Sequence, residues 1–200
     1  MLGENNVEDK LMLMDYVDNS RTDKNTVHSY LPLYQQVIKN KRYTAKNVLE
    51  IGICLGGSIK LWHDFFPSAT VYGLDIMHIN NVWPLLTTKE RIKLYTSTDA
   101  YDYDFFKANF LDKNIKCDFI IDDGPHTLES MKQFIRLYSQ LLTEDGILII
   151  EDVQSYDWVD ELTKEVPLHL TKHVVVCDLR PIKNRYDDIV FIIDRTRKIR

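Results

Sequence analysis

The 200-residue sequence predicts an α/β fold: a doubly wound, seven-stranded, mostly parallel sheet that ends in an antiparallel C-terminal hairpin. Three observations predict it. Short apolar runs rich in β-branched residues alternate with segments of helical length, as expected of strands covered by helices on both faces. In the segment 128–142, Leu128, Met131, Phe134, Ile135, Tyr138, Leu141 and Leu142 recur at spacings of three and four, so one face of a helix there must be buried. The last two strand-like runs are joined by the segment 178–188, which has no helical pattern and is too short for a crossover helix, so those strands should pair antiparallel.

In chain order the strands are expected at 47–51, 70–75, 92–95, 117–121, 147–150, 171–177 and 189–193. Helices are expected at 58–66, 103–109, 128–142 and 158–165, with a further one at 30–40 ahead of the first strand. The length suits one compact domain, read as residues 47–200, preceded by a helical extension over 1–46 that caps the site.

Apolar residues make up 44% of the chain and charged residues 28%, the balance of a folded soluble protein rather than a disordered one. Nothing in the formal net charge of −5 points to a general nucleic-acid binder, whose first mark is a basic patch or stripe, although a local basic patch near the C-terminus is left open. The cysteines Cys54, Cys117 and Cys177 share no metal-ligand spacing, which fits a reducing, cytoplasmic setting. No basic leader and no apolar run of membrane-spanning length is present, so no membrane partner is expected.

The first strand–helix unit reads Val48-Leu49-Glu50-Ile51-Gly52-Ile53-Cys54-Leu55-Gly56-Gly57-Ser58. Glycines at a strand end let a ligand approach the backbone closely. The second strand ends at Asp75, 23 residues after Gly52, where two carboxylate oxygens suit a ribose diol. A dinucleotide fingerprint needs G-x-G-x-x-G; here Gly52 is followed by three residues and then Gly56-Gly57. Glu50 would repel a pyrophosphate but tolerate the sulfonium and ammonium of S-adenosylmethionine.

At the next two strand ends stand Asp122-Asp123-Gly124-Pro125-His126 and Glu151-Asp152. A parallel sheet delivers both sets to the edge that carries the cofactor turn. Two carboxylates about 4 Å apart repel by roughly 4 kcal/mol at an effective dielectric near 20, so either a proton or a cation must sit among them. An oxygen-only set favours Mg2+ or a similar hard divalent cation, held by Asp123, Glu151 and Asp152. Capping of the next helix by Asp123 or Thr127 is the competing structural reading of this turn.

Together, Glu50-Ile51-Gly52-x-x-x-Gly56-Gly57-Ser58, the upstream Thr22-Asp23-Lys24 and His28-Ser29-Tyr30, and the downstream Asp122-Asp123-Gly124-x-His126 resemble the metal-dependent sugar O-methyltransferases of the macrocin and mycinamicin type, over about residues 20–194. The resemblance implies the class I S-adenosylmethionine-dependent methyltransferase fold. It further implies that Glu50, Gly52 and Ser58 line the methionine end, with Gly56 in the same turn, that Asp75 binds ribose and that Asp99 lies near the adenine. It assigns metal to Asp123, Glu151 and Asp152 and the general base to His126; Asp122 is read as a cofactor-side residue. The sequence departs from the family at Ala100, where glutamine is expected, at Pro125, where serine is usual, and at Gln154, which replaces a histidine.

The implied reaction is methylation of a sugar hydroxyl, on a deoxy- or amino-sugar carried by a nucleotide, a glycan or a natural product. An alcohol becomes a competent nucleophile once its proton leaves, and an imidazole with an ordinary pKa of about 6.5 suits that task near neutrality. Two alternatives stand beside this one: a metal-dependent O-methyltransferase for catechol-like diols, and a catalytically inactive cofactor-binding scaffold. Lys24 and His28 are candidates to close over the site, and Tyr156 and Trp158 to form a substrate wall. Arg180, Lys183 and Arg185 either meet phosphate or pair with Asp187 and Asp188. Self-association into a homo-oligomer is left open.

Overall fold

A computed structural model describes residues 12–197; the ends of the two expected regions, 1–11 and 198–200, lie outside the described residues. Seven strands form one sheet: β1 (Asn47–Ile51), β2 (Thr70–Leu74), β3 (Ile92–Tyr95), β4 (Cys117–Asp122), β5 (Leu142–Ile150), β6 (Val174–Asp178) and β7 (Ile189–Asp194). Their spatial order is β3-β2-β1-β4-β5-β7-β6. The first five run parallel, and β7 lies antiparallel to both β5 and β6. The order reverses between β1 and β4, which opens a crevice at their carboxyl ends.

Alternation along the strands divides the core between two faces. Ile120, Leu148, Ile150, Phe191 and Ile193 point to one face, where they meet Met131, Phe134, Ile135 and Tyr138. Phe119, Ile121, Ile147, Ile149 and Ile192 point to the other, where they share a cluster with Tyr34, Ile59, Trp62 and Phe65. The first face is covered by α3 (Tyr103–Phe106), α4 (Leu128–Tyr138) and α5 (Trp158–Glu165), the second by α1 (Tyr30–Ile38) and α2 (Gly57–Phe65). Among the described residues no helix is long and apolar enough to cross a membrane.

Several boundaries differ from the sequence expectation for local reasons. Helix α4 stops at Tyr138 and tightens into a 3-10 turn over Ser139–Leu141, so the apolar periodicity outlasts the helix. Its cap is Thr127, whose hydroxyl accepts from the Ser130 amide at 3.1 Å, which leaves Asp123 free of that duty. Strand β5 begins at Leu142, but its pairing with β4 is irregular between Cys117 and Phe119, across the polar stretch Thr143-Glu144-Asp145-Gly146. The start of the sixth predicted strand is instead a 3-10 turn, Thr171–His173. The segment 178–188, expected without helix, contains the one-turn helix α6 (Arg180–Lys183), favoured by a proline in its first turn and ended by Asn184 in the left-handed region.

Phe134 is fully buried and its ring stacks on Tyr138 at 5.3 Å. Phe134→Ala should lower the unfolding free energy by about 3–5 kcal/mol in urea titrations; a loss below about 1 kcal/mol would mean that α4 does not pack as described.

Candidate active site

The crevice at the switch point is a cavity of about 880 Å³, near the top of the range of roughly 300–1,000 Å³ usual for ligand sites. Gly52, Ser58, Asp75, Asp99, Asp123, His126 and Asp152 reach its wall. Glu50, Gly56, Asp122 and Glu151 are not among the residues that line it. Gly52 has φ +82°, and a Cβ there would collide with the backbone carbonyl of Asp123. The turn after β1 therefore lies directly on the turn after β4, tied by Asp123 N–H donating to Ile51 O at 2.9 Å. Gly56 takes φ +87° at the N-terminus of α2, facing the Leu86 side chain.

Asp75 is already a structural acceptor. Its Oδ2 accepts from the amides of Ile53 and Cys54, both at 2.9 Å, and its Oδ1 from Met77 N at 2.8 Å. It thus shapes the glycine turn from the β2 side. Asp99 Oδ1 accepts from Tyr101 N at 2.9 Å. Asp122 accepts from the Tyr101 hydroxyl at 2.5 Å; burial pushes its pKa up to about 7 against that hydrogen bond, with Asp123 adding to the rise.

Behind the wall, the Lys24 ammonium is buried among three carboxylates. It lies 2.5 Å from Glu151 Oε2, 2.6 Å from Asp123 Oδ2 and 3.4 Å from Glu50 Oε1. Burial alone would lower the Lys24 pKa, but Asp123, Glu151 and Glu50 overcome it and hold the group well above the usual lysine range. Glu151 also accepts from the Tyr34 hydroxyl, so each of its oxygens has a donor. Burial raises its pKa, with Lys24 opposing. Glu50 accepts from Trp62 Nε1 at 3.0 Å; burial raises its pKa to about 7, with Lys24 pulling the other way.

On the cavity side, ligand atoms from Asp123, His126 and Asp152 lie within 4.8 Å of one another. His126 Nε2 is 3.5 Å from Asp152 Oδ2 and 3.8 Å from Asp123 Oδ1. Both His126 and Asp152 take φ +53°, a left-handed conformation that costs a non-glycine residue of order 1–2 kcal/mol. Such strain persists only where surrounding contacts over-determine it. Gln154, which departs from the family pattern, supplies one such contact by donating to the His126 carbonyl at 3.0 Å.

Sequence reasoning put Lys24 and His28 near the site; Tyr30 stands in the same motif with no role assigned, and Tyr34 was missed. Tyr30 donates to Asp152 and Tyr34 to Glu151, from one face of α1. Their spacing of four was the available signal. Asp188 was also missed, and it contacts His28. The proposed substrate-wall residues do not reach the cavity wall: Trp158 packs on the core and Tyr156 is exposed. Arg180 and Arg185 pair with Asp178 and Asp187, each within 2.8 Å, and Lys183 donates to the carbonyls of Asn25, Thr26 and His28.

Glu50 binds its proton more tightly in the fold than in the unfolded chain, so its contribution to stability is present below pH ~4.5 and is lost as pH rises through about 7. The uncharged Glu50→Gln chain should therefore gain stability relative to the unaltered one across that window in urea unfolding. A difference that does not change with pH would contradict the raised Glu50 pKa.

No protein-family model matches the chain. It is 30% identical over 143 residues to the mycinamicin VI 2''-O-methyltransferase of Micromonospora griseorubida, covering 66% of this chain and 33% of that protein. It is 27% identical over 139 residues to the L-olivosyl-oleandolide 3-O-methyltransferase of Streptomyces antibioticus, covering 66% and 34%. The demethylmacrocin O-methyltransferase of Streptomyces fradiae matches at 25% over 140 residues, again 66% and 34%. The matched part spans about a third of these relatives' length. Among solved structures, the MycE methyltransferase of mycinamycin biosynthesis, in complex with Mg, SAH and mycinamycin VI, superposes with a TM-score of 0.69 at 22% identity, over 93% of this chain and 55% of that one. A putative caffeoyl-CoA O-methyltransferase from Staphylococcus aureus gives 0.57 at 19% identity, over 84% and 83%. The chain is similar in sequence to the mycinamicin- and macrocin-type O-methyltransferases over about two thirds of its own length, and it has the fold of the class I methyltransferases.

Proposed function

We propose that the protein is an S-adenosylmethionine-dependent O-methyltransferase that methylates a hydroxyl on the sugar of a glycosylated natural product, assisted by a divalent cation such as Mg2+. The observation that carries this reading is the convergence of Asp123, His126 and Asp152 on the wall of the cavity that the glycine turn also lines. The cofactor reading fits that wall. Gly52 leaves backbone room, Ser58 lies at the start of α2, and Asp75 and Asp99 border the far end where ribose and adenine are assigned.

The residues also fit a divalent cation. Asp123, Glu151 and Asp152 form an all-oxygen donor set, of which Asp123 and Asp152 reach the cavity beside the single buried ammonium of Lys24. Asp123, Glu151 and Asp152 would hold the ion. Asp123 and Asp152 reach the cavity, whereas Lys24 and Tyr34 engage Glu151, so a bond to Glu151 requires its contact with Lys24 to yield. When bound, the ion supplies Lewis acidity that stabilises the acceptor oxygen as it loses its proton.

The chain's own residues then complete the reaction. His126 Nε2 takes the hydroxyl proton while the oxygen attacks the sulfonium methyl, and the carbon–sulfur bonding pair returns to sulfur as the thioether. Residues 1–46 act as the cap of a catalytic domain at 47–200, a reading supported by Asn19, Arg21, Asp23 and Thr26 on the cavity wall. A sugar already joined to a natural product is favoured over a nucleotide sugar because Arg180 and Arg185 are paired with aspartates. The relatives' names point the same way, one of them to an olivosyl sugar on oleandolide.

The test is methyl transfer from labelled S-adenosylmethionine to glycosylated macrolides, nucleotide sugars and catechols, with and without chelator. Transfer to the glycosides that stops with chelator and returns with Mg2+ is expected. Full activity after rigorous metal removal would sink the metal assignment, and transfer to catechols alone would overturn the sugar assignment. His126→Ala should lower turnover by about 10²–10⁴-fold while cofactor affinity stays within about threefold. Loss of cofactor binding instead would mean that His126 is not the base.

A further inference from the structure

Asp152 presents its two oxygens to different surroundings. Oδ2 faces His126 on the cavity side at 3.5 Å. Oδ1 faces inward, where it accepts from the Tyr30 hydroxyl and lies 3.3 Å from His28 Nδ1. That same nitrogen is 2.6 Å from Oδ1 of Asp188, which is fully buried immediately before β7. The ring of His28 stacks on Tyr30 at 4.8 Å with an 18° interplanar angle, so the imidazole beside Oδ1 braces the tyrosine that donates to it.

The backbone keeps these groups in register. Val153 N–H donates to Ile189 O at 3.1 Å, which sets the residue after Asp152 against the residue after Asp188. Lys183 holds the strand-free segment from the other side, through its contacts with the carbonyls of Asn25, Thr26 and His28. Asp152 itself sits at φ +53°, a conformation that would relax if nothing fixed its side chain.

We propose that His28 and Asp188 are positioning residues for Asp152: the imidazole, anchored on Asp188, fixes Oδ1 inward so that Oδ2 stays presented to the cavity as a divalent-cation ligand. The inference rests on the metal-assisted reading above. It assigns a task to two buried residues which that reading leaves idle. Groups that orient a metal ligand from behind commonly change affinity by about 10–100-fold when removed.

The test exploits the geometry of the two histidine nitrogens. An asparagine amide nitrogen can stand where Nδ1 stands, whereas a glutamine places its nitrogen near the Nε2 position. Mn2+ affinity would be read from the free-ion electron paramagnetic resonance signal, with the melting temperature of the metal-free protein alongside, for the unaltered chain, His28→Asn, His28→Gln and Asp188→Ala. His28→Gln and Asp188→Ala should each weaken Mn2+ binding by about 10–100-fold, and His28→Asn should stay within about threefold of the unaltered chain, with the two His28 variants melting alike. Should Asp188→Ala not fold, the His28 pair alone decides. Equal Mn2+ affinity in His28→Gln and the unaltered chain would overturn this inference while leaving the metal reading intact, as would equal weakening by Asn and Gln. Absence of Mn2+ binding by the unaltered chain would overturn both.

Discussion

The site depends on one buried cation. Lys24, 1% exposed, lies among Glu50, Asp123 and Glu151, which come from the ends of three neighbouring parallel strands. Without it, two fully buried carboxyl groups and Asp123 would be left with no cation among them, and removing one partner of a buried pair costs about 3–5 kcal/mol. The ammonium therefore decides which parts of the cluster are satisfied internally and which remain for a ligand. Glu151 is satisfied on both oxygens. Asp123 and Asp152 each keep an oxygen toward His126 and the cavity.

The same logic governs the segment that brings Lys24 in. His28, Tyr30 and Tyr34 follow it along the chain, and each contacts a carboxylate of the cluster or Asp188, just ahead of β7. The segment ahead of β1 thus supplies part of the site's polar framework. The strained backbone at His126 and Asp152 fits this picture. Both residues lie at strand ends, where no ladder of hydrogen bonds dictates their conformation, and side-chain contacts must do so instead.

Much of the fold was legible because strands buried on both faces leave continuous apolar runs. Three elements, β1, β3 and α5, begin and end where the sequence places them. The turn Thr171–His173 and the one-turn helix α6 were not legible, since short turns are set by local hydrogen bonds and caps rather than by periodicity. In the site, the strand-end acids and His126 could be found because a parallel sheet collects such residues on one edge. Their partners could not. Lys24 meets Asp123 across 99 residues of chain and Glu151 across 127, and no local pattern carries that pairing. The motif around Lys24 and His28 indicated proximity to the cavity, but not that the two residues would reach behind its wall.

The central claim, that Lys24 and Glu151 form a desolvated pair which organises the cluster, is most directly tested by a double-mutant cycle. Unfolding free energies in urea, without metal at neutral pH, would be compared for the unaltered chain, Lys24→Met, Glu151→Gln and the combined variant. The account predicts a coupling energy of about 2–3 kcal/mol, because each single change strands a buried partner that the double change removes. A coupling below about 0.5 kcal/mol would contradict it, since the two groups would then contribute independently.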